Sequence, residues 1–275
     1  MKHLLRRIAA FLGLLPSSHY RYPAVDVEVE PQRHFHLVGS IHMGTVDMSP
    51  LPPALLQQLD GAAALIVEAD IADSGSPFDT LGAEPPMAER LTADTLQRLQ
   101  RLCDELSFNY ASLDRLPAWQ AALMLQARQA MMLGLRPGYG IDYQLIHAAR
   151  ERALPIIELE GQQSQMELLL QLPQDGMLLL EDTLLHWHTN ARLLQTMVSW
   201  WVSDKPVHIG NVPPTFGNQM TEMLMHQRNR RWQQQLLALP AGRYVVAVGA
   251  LHLYGEGNLS QLLAGSRPPS SASCP

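Results

Sequence analysis

Two segments of this chain place a histidine three residues after a glycine, each time at the end of an apolar run: Val38-Gly39-Ser40-Ile41-His42 and, near the C-terminus, Val248-Gly249-Ala250-Leu251-His252. Both runs are short and rich in Val, Leu and Ile, as buried strands are, and both pass into a glycine-containing loop. An imidazole can ligate a divalent metal or move a proton near neutral pH. In an open α/β sheet, ligands bind beyond the carboxyl ends of the strands, so two histidines there converge if their strands are neighbours. Glycine at a strand end lets the backbone turn sharply and lets a ligand approach. The run ALIVEAD adds Glu68 and Asp70, which alternation puts on one face. A carboxylate leaving an apolar strand is costly unless it meets a cation, a donor or water. Two imidazoles and a carboxylate are a common ligand set for a divalent metal, with positions left for water and substrate. The run LPIIELE contributes Glu158 and Glu160 as orienting groups or a general base. A lone strand-end histidine is more often a hydrogen-bonded structural residue. The matched contexts and the nearby acidic residues set this pair apart.

The remaining candidates carry less chemistry. His34 and His36 lie inside the first strand and read as packing or edge residues. His186 and His188 sit about 200° apart on a predicted helix and read as interfacial or core polar groups. In MHQRNRRW, Arg228, Arg230 and Arg231 with Trp232 describe a solvated helix face when taken alone. Trp200, Trp201 and the methionines suit a core or groove. No Walker loop, glycine-rich dinucleotide turn, G-x-S-x-G elbow or H-E-x-x-H helix occurs.

Residues 34–39, 64–70, 154–160 and 243–249 form the predicted strands. Helices are expected from Ser49-Pro50 to about Leu59, from Pro117 to Gly134, after Gly140 with Asp142 in the first turn, as one helix over 177–201, and over 221–239. The layout predicts an α/β fold: a central, largely parallel or mixed sheet with flanking helices, two pseudo-repeated strand–GxxH–loop–helix units and an inserted helical middle. A single domain over 20–265 is expected, helical from about 90 to 240, with a Ser/Gly/Pro-rich surface loop at 71–89 and a disordered tail at 266–275. A chain of 275 residues, 47% hydrophobic, suffices for that core.

Twenty basic against 26 acidic residues give a net charge of −6, with no basic stripe, which argues against nucleic acid as a partner. Two cysteines, Cys103 and Cys274, support neither a disulfide framework nor a thiolate metal site. Residues 1–19 pair basic residues with an apolar face (Leu4, Leu5, Ile8, Leu12, Leu15), predicting an amphipathic helix that packs on the domain or makes a peripheral membrane contact through residues 1–16. A cleaved signal fits less well, because the run Ile8 to Leu15 is short and no A-x-A-like site follows. A cytoplasmic location is the expectation, with a periplasmic or membrane-associated one as the alternative.

VGSIH and VGALHLYGEGNL, with VEAD between them, resemble the motifs of the TraB/PrgY/GumN family, which includes the TIKI proteins; the resemblance runs from about Tyr20 to Gly265. It implies a fold related to the erythromycin esterase-like and ChaN-like proteins. It also implies a divalent-metal-dependent peptidase with manganese or cobalt as cofactor, zinc being chemically suited as well. Gly39, His42, Glu68, Gly249 and His252 match the active centre, in which His42, His252 and Glu68 would hold the metal or Glu68 would act as base. Gly140 with Asp142, Leu159-Glu160 with Gln165, and Arg228-Asn229 match further family elements, the last as a charge or hydrogen-bond clamp. Ser40 and Gly44 would line the substrate loop. Two alternatives stand beside this: a metal-free esterase-like hydrolase with His42 as general base, and a non-catalytic module that captures a peptide or small ligand.

Overall fold

The computed structural model describes residues 20–29, 32–71, 84–203 and 218–266. The expected N-terminal helix, most of the 71–89 loop, the tail from residue 267 and Cys274 lie outside them. In chain order the elements are β1 (Ala24–Val29), β2 (Arg33–Ser40), α1 (Pro53–Asp60), β3 (Ala64–Val67), α2 (Met87–Arg90), α3 (Ala93–Glu105), α4 (Ala118–Met132), α5 (Ile141–Glu151), β4 (Ile156–Glu158), α6 (Gly161–Leu170), α7 (Met177–Leu185), α8 (Trp187–Val202), α9 (Asn218–Thr221), a π-turn (Glu222–His226), α10 (Gln227–Leu237), β5 (Gly242–Gly249) and α11 (Leu259–Gly265).

The five strands form one mixed sheet in the order β1-β2-β5-β3-β4, with β1 antiparallel to β2 and the other pairings parallel. The last strand therefore lies between the second and third. Its run YVVAV is buried on both faces, as a central parallel strand requires. The edge strand β1 was not among the predicted strands, although AVDVEV alternates apolar and charged residues with the period of a half-buried strand.

Each face of the sheet has its own core. One joins Val38, Leu65, Val67 and Val245 to α1 and α5; the other joins Phe35, Leu37, Ile66 and Val246 to α10 and α11. A third core, around Leu99, Trp119, Leu125 and Leu180, belongs to the helical layer. The helical middle is thus packed on itself, but the chain returns to the sheet through α5 and β4. His36 is buried within β2, with Nδ1–H donating to Asp26 at 2.7 Å and Nε2 accepting from Tyr22 at 3.1 Å, while His34 stays half exposed. Both are packing or edge residues, as expected.

Three helices differ from expectation. The first begins at Pro53 rather than at Ser49-Pro50, because Pro52 stays extended and the Pro53 ring presets the first helical φ. The single helix expected over 177–201 is broken at His186, whose ψ of 19° leaves the helical region. Nothing in MLLLEDTLLHWH signals that break; α7 packs in the helical layer whereas α8 carries Trp200 and Trp201 to the sheet, burying both. The late helix contains the π-turn, which ends at His226, two positions before Arg228. His186 and His188 are exposed rather than core residues. Among the described residues no helix is long and apolar enough to cross a membrane.

Candidate active site

The strand order brings the two G-x-x-H segments together. β2 and β5 are parallel neighbours, with Ser40 opposite Gly249, and β3 flanks β5 on its other side, ending at Glu68. The two histidines nevertheless meet different surroundings. His252 falls in a 3-10 turn, Ala250–Leu253, and is 4% exposed, whereas His42 lies in an open loop with 62% of its side chain accessible.

A second segment fixes His42. Gly44 and Arg136 exchange backbone hydrogen bonds at 3.0 and 2.7 Å, and the Ile141 N–H donates to the Ile41 carbonyl at 2.9 Å. Glycines permit this approach: a Cβ on Gly44 would lie 2.1 Å from the Tyr139 carbonyl oxygen, and one on Gly140 would lie 2.2 Å from the His42 carbonyl oxygen. Helix α5 therefore starts directly against the loop, and Asp142 in its first turn accepts from His42 Nδ1–H at 2.9 Å. Nδ1 carries the proton because a carboxylate only accepts. Among the described residues Nε2 has no hydrogen-bond partner. The Asp142 carboxylate raises His42 to a pKa of about 9, with Glu68 adding to the attraction and Arg228 opposing it. Gly140→Ala is expected to cost about 1–3 kcal/mol through overpacking and to return the His42 pKa towards its ordinary 6.5, measured by urea unfolding and imidazole NMR titration. An unchanged titration would show that Gly140 does not hold the pair together.

Beneath His42 is a network centred on Arg228. A guanidinium has five N–H donors, and all five are used. Nε donates to Glu160 at 3.0 Å, Nη1 to the Leu224 carbonyl at 3.3 Å and to His252 Nε2 at 3.2 Å, and Nη2 to Glu160 at 2.8 Å and Glu68 at 2.5 Å. Because Arg228 can only donate, His252 accepts at Nε2 and carries its proton on Nδ1, which donates to Asn229 Oδ1 at 2.7 Å. The Asn229 amide then donates to the Gly257 carbonyl at 3.0 Å, fixing its orientation. Burial, helped by the positive charges of Arg228 and His42 and opposed by Glu68, lowers His252 to a pKa of about 3 and keeps it neutral.

Glu68 is fully engaged. Oε1 accepts the Gly249 N–H at 2.6 Å, and Oε2 accepts Arg228 and, at 3.4 Å, the Gln165 amide. Burial alone would raise its pKa; Arg228, His252, His42 and the Gly249 N–H overcome that and hold it at about 2.

Other expected residues have different partners. Asp70 pairs with Arg150 at 3.0 Å, and Glu158 accepts the Asp70 N–H at 2.7 Å. Gly39 serves packing: a Cβ there would lie 3.1 Å from Ala250 Cα, and its carbonyl accepts the Trp201 indole N–H at 3.2 Å. Ser40 Oγ is buried with no hydrogen-bond partner among the described residues. Trp232 belongs to the site but was assigned only to a solvated face. It lies 4.6 Å from the Arg228 guanidinium, its ring centroid is 4.4 Å from that of His252, and its N–H donates to Glu160 at 3.1 Å. The one available signal was its i+4 spacing from Arg228 on a helix. The π-turn preceding Arg228, a feature frequent at functional sites, gave no comparable signal.

A divalent metal needs donors that face an open position. Glu68 and His252 present their oxygen and nitrogen to Arg228 rather than to an open position, and among the described residues no group of three or more His, Cys, Asp and Glu side chains is placed to hold an ion. As arranged, the residues do not fit the group.

Fold and site together define a class: α/β proteins in which a buried arginine–glutamate–histidine network at the strand ends supports one solvent-facing histidine. The chain belongs to the TraB/PrgY/gumN family, whose model matches residues 25–266. It is 52% identical over 261 residues to the uncharacterized protein YbaP of Escherichia coli strain K12, covering 94% of this chain and 99% of that relative. YbaP of Shigella flexneri matches to the same extent. No solved structure matches the chain.

Proposed function

We propose that this chain is a hydrolase in which the Asp142–His42 pair activates water for attack on a carbonyl, with a peptide bond as the first candidate substrate and a small ester as the second. The observation that carries this reading is the contrast within the cluster: Glu68, Glu160, Arg228, Asn229 and His252 are engaged with one another, while His42 alone is oriented by a carboxylate and open at Nε2. Nε2 takes a proton as the water oxygen attacks the carbonyl carbon, and returns it to the departing amine or alkoxide. Glu68, Glu160 and Arg228 act by fixing charge around His42. A divalent metal on His42, His252 and Glu68, the leading expectation from sequence, would supply a Lewis acid, but Glu68 and His252 already have partners, so this reading uses none.

The test is a panel of fluorogenic peptides and p-nitrophenyl esters assayed with and without excess EDTA. Turnover unchanged by EDTA is expected. Turnover that EDTA abolishes and Mn²⁺ restores would return the reaction to a metal, and a ligand held tightly but recovered unchanged would make the chain a capture module.

A further inference from the structure

The centre of the site gathers metal-type donors around an arginine. Glu68 Oε2 and Glu160 Oε2 accept from one terminal nitrogen of the guanidinium, at 2.5 and 2.8 Å, and His252 Nε2 accepts from the other at 3.2 Å. Two carboxylates and an imidazole are a ligand set that zinc and manganese accept. The imidazole is also prepared as a ligand would be. Asn229 fixes the tautomer that leaves the Nε2 lone pair inward, and Gly257 fixes Asn229; metal-binding histidines are oriented by the same kind of outer partner.

We infer that Arg228 is the resident cation of this centre, standing where a divalent ion would bind, and that Glu68, Glu160 and His252 form a latent metal site that its removal would open. Charge supports this. One guanidinium faces two buried carboxylates, with the Gly249 and Trp232 N–H groups sharing the remaining negative charge. Without it, two desolvated carboxylates would face each other, an arrangement a divalent ion relieves and a protein otherwise resists. The three donors are separated by the guanidinium and must close in to reach the roughly 2.0–2.2 Å of zinc–nitrogen and zinc–oxygen bonds. Occupancy of this place by Arg228 does not depend on whether the chain hydrolyses anything.

The experiment is titration calorimetry with ZnCl₂ and MnCl₂ on the full chain, the Arg228→Met variant and the Arg228→Met/Glu160→Gln variant, with retained metal counted after dialysis. Methionine keeps an apolar stem over Trp232 while removing the charge. The wild type is expected to retain no ion, Arg228→Met to bind one Zn²⁺ per chain more tightly than Mn²⁺, and the double variant to lose that affinity by more than the roughly 10–100-fold that removal of an outer partner costs. Thermal melts should show Zn²⁺ stabilising Arg228→Met and leaving the wild type unmoved. A wild type that holds one ion lost in His252→Ala would overturn the inference, because Arg228 would then not occupy that place. So would a folded Arg228→Met that binds neither ion, or one that stays unfolded with and without them, since a closing ion should restore the cage.

Discussion

Arg228→Ala should lower the stability of this protein by about 3–5 kcal/mol, the loss expected when one partner of a buried ion pair is removed and the other charges remain. The replaced side chain is 12% exposed, and the carboxylates it leaves, Glu68 and Glu160, are 7% and 3% exposed. Five hydrogen bonds disappear together, and His252 Nε2 loses its donor, so the effect exceeds that of a surface arginine, whose ion pairs contribute about 0–1 kcal/mol. Acid should narrow the gap between variant and wild type. In the wild type Glu68 titrates at about 2 instead of its ordinary 4.5, so its contribution is complete above pH 4.5 and is lost as pH falls towards 2. In the variant the burial that raises the Glu68 pKa is no longer opposed by Arg228, and protonation relieves the repulsion. Urea unfolding at pH 7 and pH 4 measures both effects. A loss at pH 7 no larger than that of a surface arginine would mean that the network does not hold the centre together.

His42→Ala should lower kcat/KM by about 10²–10⁴, the contribution of a positioned general base, while far-UV circular dichroism remains unchanged because the ring is open to solvent. The pH profile distinguishes this role from a structural one. With a folded-state pKa of about 9, His42 becomes a base only as pH rises, so kcat/KM should climb through neutrality and level off near pH 9. Asp142→Asn removes the largest cause of that raised pKa and should move the limb towards 6.5 while lowering the plateau. The stability linkage has the opposite slope. The imidazolium–Asp142 pair stabilises the fold fully below pH 6.5, and that stabilisation is lost as pH rises through about 9. A profile that stays in place in Asp142→Asn, or an unchanged rate in His42→Ala, would remove His42 from the chemistry.

The fold was largely legible because strands such as YVVAV are continuous apolar runs bounded by turns, and Gly140 followed by Asp142 marks a helix start. The site was legible as a set of residue types: His42, Glu68, Glu160, Arg228, Asn229 and His252 were all candidates, and all lie at one end of the sheet. Their pairing was not. The break at His186, the π-turn before Arg228 and the burial of Trp232 follow from which layer each segment packs against, and local sequence does not encode that choice.

By itself, then, the sequence determined the α/β class, the family, and the two glycine–histidine strand ends with a glutamate between them. Only the tertiary structure decided that the histidines are unlike, because β5 inserts between β2 and β3 and delivers His252 to a buried arginine and His42 to an exposed aspartate-bound loop. A residue's type is local, but its exposure and its charge partners depend on segments far away in the chain: Arg228 lies 160 positions from Glu68 and Asp142 lies 100 from His42. Those partners give one histidine a pKa of about 9 and the other about 3, and with them opposite protonation states at neutral pH.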